Sequence, residues 1–310
     1  MLWGTIASAP AQGVPSAAAE QFDHVIGSRV EAVTIFGGDY GAAGGVYTFR
    51  GGDVANLSIG KLGGAGDVAA ARPLGETGLK WAPVLIGNVG HITAANTFHD
   101  GYLAGNRSEY DVWAAQLGGG ARFYLTDHLS LAPGVSAVYG HAENDFTPRN
   151  PAGDLVETAG HGTYVDWQLD TWSIVPSFAA KYEWLWGRTT FQLGSRYIFF
   201  HTEDFHSSSA VVGVKGNSHL WENKIDADVP LGLKVFGREL HTGGFAARTE
   251  LFGSAAQGVN ADYFYTFNGR FVMDLLGEFW KVRWLGLGAS YFVGEHFAGW
   301  SAGVDLTFQF

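Results

Sequence analysis

The sequence predicts an all-β fold: a transmembrane antiparallel β-barrel of about 12 strands over residues 43–310, preceded by a short helical or irregular segment, 1–42, able to plug the lumen. Three observations predict it. The first is composition. The 310 residues are 46% hydrophobic and only 16% charged, with 45 Gly, 22 Phe, 12 Tyr and 11 Trp, whereas a soluble chain carries about 25% charged residues. Yet a membrane helix needs about 20 nearly continuous apolar residues, and the longest uncharged internal run, 81–98, is broken by Gly87, Asn88, Gly90, His91, Thr93 and Asn96. The second is period-two alternation of apolar with small or polar residues, the signature of strands with two unlike faces. The third is an alternation of short turns with long polar connectors, the pattern of a barrel with short periplasmic turns and long outer loops.

Other classes are excluded on the same page. No Cys is present, so there is no disulfide framework, thiolate metal site or cysteine nucleophile. A formal charge of −11 argues against nucleic acid, which needs a clustered basic face. The apolar content is too high for a disordered chain.

Along the chain, residues 1–12 end in the small residues Ala7-Ser8-Ala9-Pro10-Ala11-Gln12, similar to a secretory cleavage region but without its basic start or full apolar stretch. Ser16 suits the N-cap of a helix carrying Phe22, Val25, Ile26, Val30 and Val33 at helical spacing, a candidate plug. A periplasmic cap, or a strand over 31–36, is the alternative. A short strand over 44–49 follows, then Ala55, Leu57 and Ile59 oppose Asn56 and Ser58, and 79–91 is strand-like with ambiguous parity. Trp113, Leu117 and Phe123 oppose Gln116 and Arg122; Leu129, Leu131, Val135 and Tyr139 oppose Ser130, Gly134 and Ser136. Trp172, Ile174, Phe178 and Tyr182 oppose Ser173, Ser177 and Lys181, and Phe191, Leu193, Tyr197 and Phe199 oppose Gln192, Gly194 and Arg196. Val229, Leu231, Leu233 and Val235 oppose Asp228 and Lys234; Phe245, Ala247, Thr249 and Leu251 oppose Arg248 and Glu250. Tyr263, Tyr265, Phe267, Phe271 and Met273 oppose Thr266, Asn268, Arg270 and Asp274, which favours one strand through Asn268-Gly269 although that pair is a strong hairpin signal. Trp300, Ala302, Val304, Leu306, Phe308 and Phe310 oppose Ser301, Gly303, Asp305 and Thr307. Short turns are expected near 126–128, 183–188, 237–239 and 276–279, and long loops at 93–109, 142–166 and 203–224. Tyr263 and Tyr265 at one rim, and Trp184, Trp186, Trp280, Trp284 and Phe310 at the other, fit aromatic girdles.

The terminal residues Val304, Leu306, Phe308 and Phe310 resemble the C-terminal assembly signal of bacterial outer-membrane proteins, an aromatic end with apolar residues two, four and six positions earlier. With the dozen strands, the chain resembles the translocator domain of autotransporters, and more particularly the solitary autotransporter-like β-domain family. The resemblance implies a Gram-negative source, integral placement in the bacterial outer membrane among its lipid and lipopolysaccharide, and recognition by the outer-membrane assembly machinery. Only about 42 residues precede the first strand, too few for an autotransporter passenger, so a structural, pore or surface-interaction role is expected. A translocator for a separately encoded partner is a further possibility, and the oligomeric partner is unknown.

The remaining residues are read for chemistry. The expected lumen charges are Arg122, Lys181, Arg196, Lys234, Arg248, Glu250, Arg270, Asp274 and Asp305, able to form an anion-leaning pore or structural ion pairs. His201, Glu203, Asp204, His206 and Ser208 lie on one outer rim, and His141, Glu143 and Asp145 on another. His206 and Ser208 resemble the His-x-Ser pair of outer-membrane lipid A deacylases, the alternative reading being a lipid-hydrolysing barrel of deacylase or phospholipase type, although Ser209 replaces the following Asn of that family. Ser301 sits in a literal G-x-S-x-G, but in mid-strand where no nucleophile elbow forms. No cofactor or metal is expected, since no phosphate loop, dinucleotide fingerprint or H-E-x-x-H is present.

Overall fold

A computed structural model describes residues 42–49, 56–75, 77–98, 101–259, 261–279 and 282–308. The candidate plug, the signal-like start, Trp280 and Phe310 lie outside the described residues. The sheet has 13 strands, one of them the two-residue Arg72–Pro73, which leaves twelve long ones among the described residues. They are β1 (Ala42–Phe49), β2 (Asn56–Asp67), β3 (Lys80–Thr97), β4 (Arg107–Tyr124), β5 (Leu129–Thr147) and β6 (Gln168–Trp186). The second half comprises β7 (Thr189–Ser207), β8 (Lys215–Val235), β9 (Arg238–Gly253), β10 (Tyr263–Phe279), β11 (Val282–Gly294) and β12 (Phe297–Phe308). None of the described helices is long and apolar enough to cross a membrane.

Each strand pairs antiparallel with its neighbours in sequence, and β12 pairs with β1 from Ala42↔Val304 to Phe49↔Phe297. With β2 paired to β3, the ring of neighbours closes. Closure matters because an open edge would leave a row of peptide N–H and C=O groups in hydrocarbon, where each unsatisfied group costs several kcal/mol. Asn268-Gly269 lies within β10, opposite Ser290 and Ala289, so the apolar parity overrides the local turn signal there.

The connectors follow local chemistry. On one side β6 and β7 are joined by Gly187 and Arg188, and β8 and β9 by Phe236 and Gly237, both at positive φ (52° and 79°), as a two-residue turn matching strand twist requires. The expected turn at 276–279 is instead strand, since β10 runs on to Phe279. On the other side, helix α1 (Pro151–Gly160) is capped by the Asn150 side chain accepting from the Gly153 N–H (2.8 Å), with Pro at its start and Asp154 in its first turn. Helix α2 (Ser254–Val259) links β9 to β10. The long outer loops are shorter than the polar stretches suggest: β5 reaches Thr147, β7 reaches Ser207 and β8 starts at Lys215, so Glu143, Glu203, Glu222 and Lys224 are strand residues.

The faces divide by height as well as by parity. On the inner part of β4, Leu117 points outward and exposed while Gln116 and Arg122 point into the lumen; toward the outer end, Val112 and Ala114 are buried inside while Glu109 and Asp111 lie outside. The same change of sign occurs on β8, where Trp221 and Ile225 are exposed outward below His219, and Leu220 is buried inward above Lys224. In the outer part of the barrel the lumen is therefore dry and the outside polar, the reverse of the membrane band.

Candidate functional site

The lumen holds two layers. In the outer layer, inward side chains from nearly the whole ring are almost fully buried: Leu57 and Ile59 on β2, Ile92 on β3, Val112 on β4, Val138 on β5, Phe200 on β7, Leu220 on β8, Leu251 on β9, Phe264 on β10 and Phe292 on β11. Trp167, Val212, Val214, Ala255 and Ala261 from the outer loops belong to the same cluster. Inward side chains lining an open water channel would be exposed; at 0–4% exposure these are not.

Beneath lies a polar cavity of about 620 Å³. Its wall carries Arg122, Lys181, Arg196 and Arg270, joined by Lys61 and Lys224, against Glu183, Asp226, Asp228 and Asp305. Arg270 and Asp226 form a two-pronged pair (2.9 and 2.7 Å) with side chains only 16% and 13% exposed. Arg122 pairs with Asp67 (3.0 Å), whose other oxygen accepts from the Tyr124 hydroxyl (2.7 Å). Lys181 meets Glu183 (3.1 Å), Arg196 meets Glu222 (3.4 Å), and His241 Nδ1 meets Asp228 (2.8 Å). Lys224 also lies 4.9 Å from the Phe245 ring centroid. Gln116 accepts from Asn88 (2.6 Å) and donates to Ser136 (2.7 Å). The wall thus carries a set of charge-assisted pairs beside a neutral Asn88-Gln116-Ser136 chain, an arrangement that leaves little unpaired charge, which would be costly.

Several sequence expectations are corrected here. Arg248 and Glu250 face outward, paired to each other at 3.1 Å, with Arg248 over the Tyr263 ring (4.9 Å); it is Phe245, Ala247, Thr249 and Leu251 that point inward and are buried. The parity was right but the sign was inverted, because this end of β9 lies where the lumen is dry and the outside wet. Lys234 is exposed near the β8–β9 turn, beyond a register shift at Leu240/His241, and does not line the cavity. Trp284 faces the cavity, edge-on to His241 (4.9 Å), rather than a lipid girdle. Asp274 is half-buried on the inward parity of Arg270. Lys61, Lys224, Glu222 and His241 were absent from the sequence-based set; alternation of Glu222, Lys224, Asp226 and Asp228 was the signal, hidden by reading 203–224 as a loop.

At the C-terminus, Val304 is half-buried and the backbone of Leu306 and Phe308 is in register with Leu285 and Val282. Ser301 is fully buried in mid-β12, opposite Ser290. The His206 and Ser208 side chains are exposed, and the Ser208 hydroxyl accepts from the Gln168 N–H (2.8 Å); among the described residues no hydrogen bond joins the two. His141 is held between Asp170 (2.8 Å) and Glu143 (3.0 Å), and Lys215 pairs with Glu203 (2.8 Å). No group of three or more His, Asp or Glu side chains converges as a metal site among the described residues.

Residues 77–308 match the family model of the solitary outer membrane autotransporter beta-barrel domain. The chain belongs to that family. It is therefore an integral outer-membrane β-barrel of autotransporter type. The fold is shared with the transport unit of the autotransporter AIDA-I from Escherichia coli (TM-score 0.57, 11% identity, covering 93% of this chain and 99% of that one). It is shared too with the beta domain of the Bordetella autotransporter Brka (TM-score 0.52, 14% identity, 87% and 100%). No curated protein matches the chain. Within this family's architecture, the long connectors carrying α1 and α2 form the outer side and the tight turns the periplasmic side.

Proposed function

We propose that this solitary autotransporter-type barrel is a closed, non-catalytic scaffold that presents its outer rim for surface interactions, rather than a diffusion pore. One observation carries the reading: the inward apolar side chains of the outer lumen are buried, so the polar cavity beneath is a vestibule toward the periplasm and not a passage. A polar lumen with small or charged walls throughout is what conduction would need. The ion pairs serve the wall itself, since Arg122, Lys181, Arg196 and Arg270 each have a carboxylate within reach. The outer face supports the interaction role: residues 101–106 and α1 are fastened together by Asn150 donating to the Tyr102 and Ala104 carbonyls (3.2 and 2.9 Å), while the buried Asn106 accepts from the Arg149 N–H (2.7 Å). This hydrogen-bonded unit leaves Tyr102 and Leu155 exposed.

The test is single-channel recording of the full chain in a planar bilayer. Absence of steady open-state conductance is expected, with conductance appearing when Ile92→Asp and Leu220→Asp together wet the apolar layer. A steady ohmic current from the unaltered chain overturns the reading.

A further inference from the structure

An ordinary surface helix buries its apolar stripe and turns its polar side to water. Helix α1 does the reverse. Its buried residues are Gly153 and Gly160, which at about 3.6 residues per turn fall on one face. That face is seated so closely on residues 101–106 that a Cβ at Gly153 would collide with the Asn106 amide. The seat is polar: the Asn150 side chain caps the helix and also donates to the Tyr102 and Ala104 carbonyls. Leu155 falls opposite the glycines and is 71% exposed, with Ala152 and the exposed Ala159 beside it. Tyr102, on the 3-10 turn Gly101–Leu103 of the same unit, is 80% exposed. Asp154 and Glu157 lie together on one flank of the stripe.

We infer that the outward stripe of α1, with Tyr102, docks a basic amphipathic helix of another polypeptide outside the cell, its apolar side chains against Leu155 and Tyr102 and its Lys or Arg side chains against Asp154 and Glu157. This rests on the reading of the outer rim as an interaction surface and names its partner. Hydrocarbon does not cover the stripe, because the unit stands beyond Glu109 and Asp111, where the outside of the barrel is already polar. Charge selects the occupant. On the outer ends of β4 and β5, the strands that carry the unit, Glu109 stands opposite Asp145 and Asp111 opposite Glu143, with Arg107 paired to Glu109. The field around the stripe is therefore acidic and attracts a basic partner. A second copy of the chain brings the same carboxylates and a formal charge of −11, so like charges would meet across the contact. A helix is the matching shape, since an apolar row at i, i+3 and i+4 meets a like row on a facing helix. The uncovered area is small, at the weak end of specific interfaces, so the contact is transient.

The test uses the full chain in phosphatidylcholine nanodiscs and two fluorescent peptides of about 18 residues, one of Leu and Lys and one of Leu and Glu in the same helical pattern, read by anisotropy against empty discs. The Leu/Lys peptide is expected to bind chain-bearing discs roughly tenfold more tightly than empty ones, and the Leu/Glu peptide to show no such gain. Leu155→Asp removes an apolar anchor while adding a carboxylate, so it separates docking from bare attraction: binding of the Leu/Lys peptide falls roughly tenfold if Leu155 is an anchor and rises if only charge matters. Tyr102→Ala lowers binding in the same direction, and Asp154→Asn with Glu157→Gln lowers it further. These side chains make few contacts within the barrel, and heat-modifiable migration on gels verifies that each variant is folded. No gain over empty discs, equal gain for both peptides, tighter binding to Leu155→Asp, or unchanged binding to both Leu155→Asp and Tyr102→Ala overturns the inference. Failure of the peptide to bind leaves the closed lumen standing, whereas a steady current from the unaltered chain overturns the closed-scaffold reading and not the docking at α1.

Discussion

Arg270 and Asp226 are among the most deeply paired charges of the cavity wall, and their value lies less in attraction than in what each spares the other. Removing one partner leaves a buried charge uncompensated, which costs roughly 3–5 kcal/mol. Arg270→Ala is expected to lower the urea midpoint for unfolding in micelles by a corresponding amount, with Arg270→Lys intermediate because a single ammonium cannot reproduce the two-pronged geometry. Ser208 makes the opposite case. Its hydroxyl is engaged by a backbone N–H and not by an imidazole, so expression of the wild-type chain and of Ser208→Ala is expected to give identical lipid A and phospholipid profiles by mass spectrometry; deacylated lipid A produced only by the wild type would restore the hydrolase reading.

At the level of elements, the turns and close approaches set the limits. Phe236 occupies a left-handed position that costs a non-glycine residue about 1–2 kcal/mol, and its side chain is 93% exposed. Phe236→Asn is expected to stabilise the β8–β9 hairpin by about 1 kcal/mol, read as a rise in the midpoint of heat-modifiable migration. Gly118 on β4 faces the lumen so close to β5 that a Cβ would lie 2.3 Å from the Ser136 Cβ. Gly118→Val is expected to prevent the β4–β5 wall from closing and to leave no heat-modifiable band.

For the molecule as a whole, the change of sign between membrane band and outer rim is itself measurable. Ile225, outward and exposed in the apolar band of β8, should cost about 2–4 kcal/mol when changed to Arg, whereas outward Asn217, nearer the outer end of the same strand, should cost close to nothing. Equal penalties at the two sites would mean that the lipid boundary is not where the faces invert.

Much of this was legible beforehand. The alternation through β10 and β12 gave the face of Phe267, Phe271 and Trp300 directly, because a strand in a barrel wall has one lipid side and one lumen side and the period is two. The strand number and the antiparallel closure followed from counting. What could not be read was the sign of that alternation along the length of a strand. Alternation alone points Arg248 and Glu250 into the lumen, because within the membrane band a polar residue avoids lipid by turning inward, yet at the outer end it avoids lipid by standing above it. Lys224 and Glu222 read as loop residues in the sequence because charge density in a strand resembles charge density in a connector. By itself the sequence determined a twelve-strand outer-membrane barrel, since period, composition and the terminal apolar residues are local properties of the chain. Only the tertiary structure decided that the lumen is dry above and charged below, because which side chains converge across a barrel depends on the height at which the registers align, and register is a relation between strands that no single strand carries.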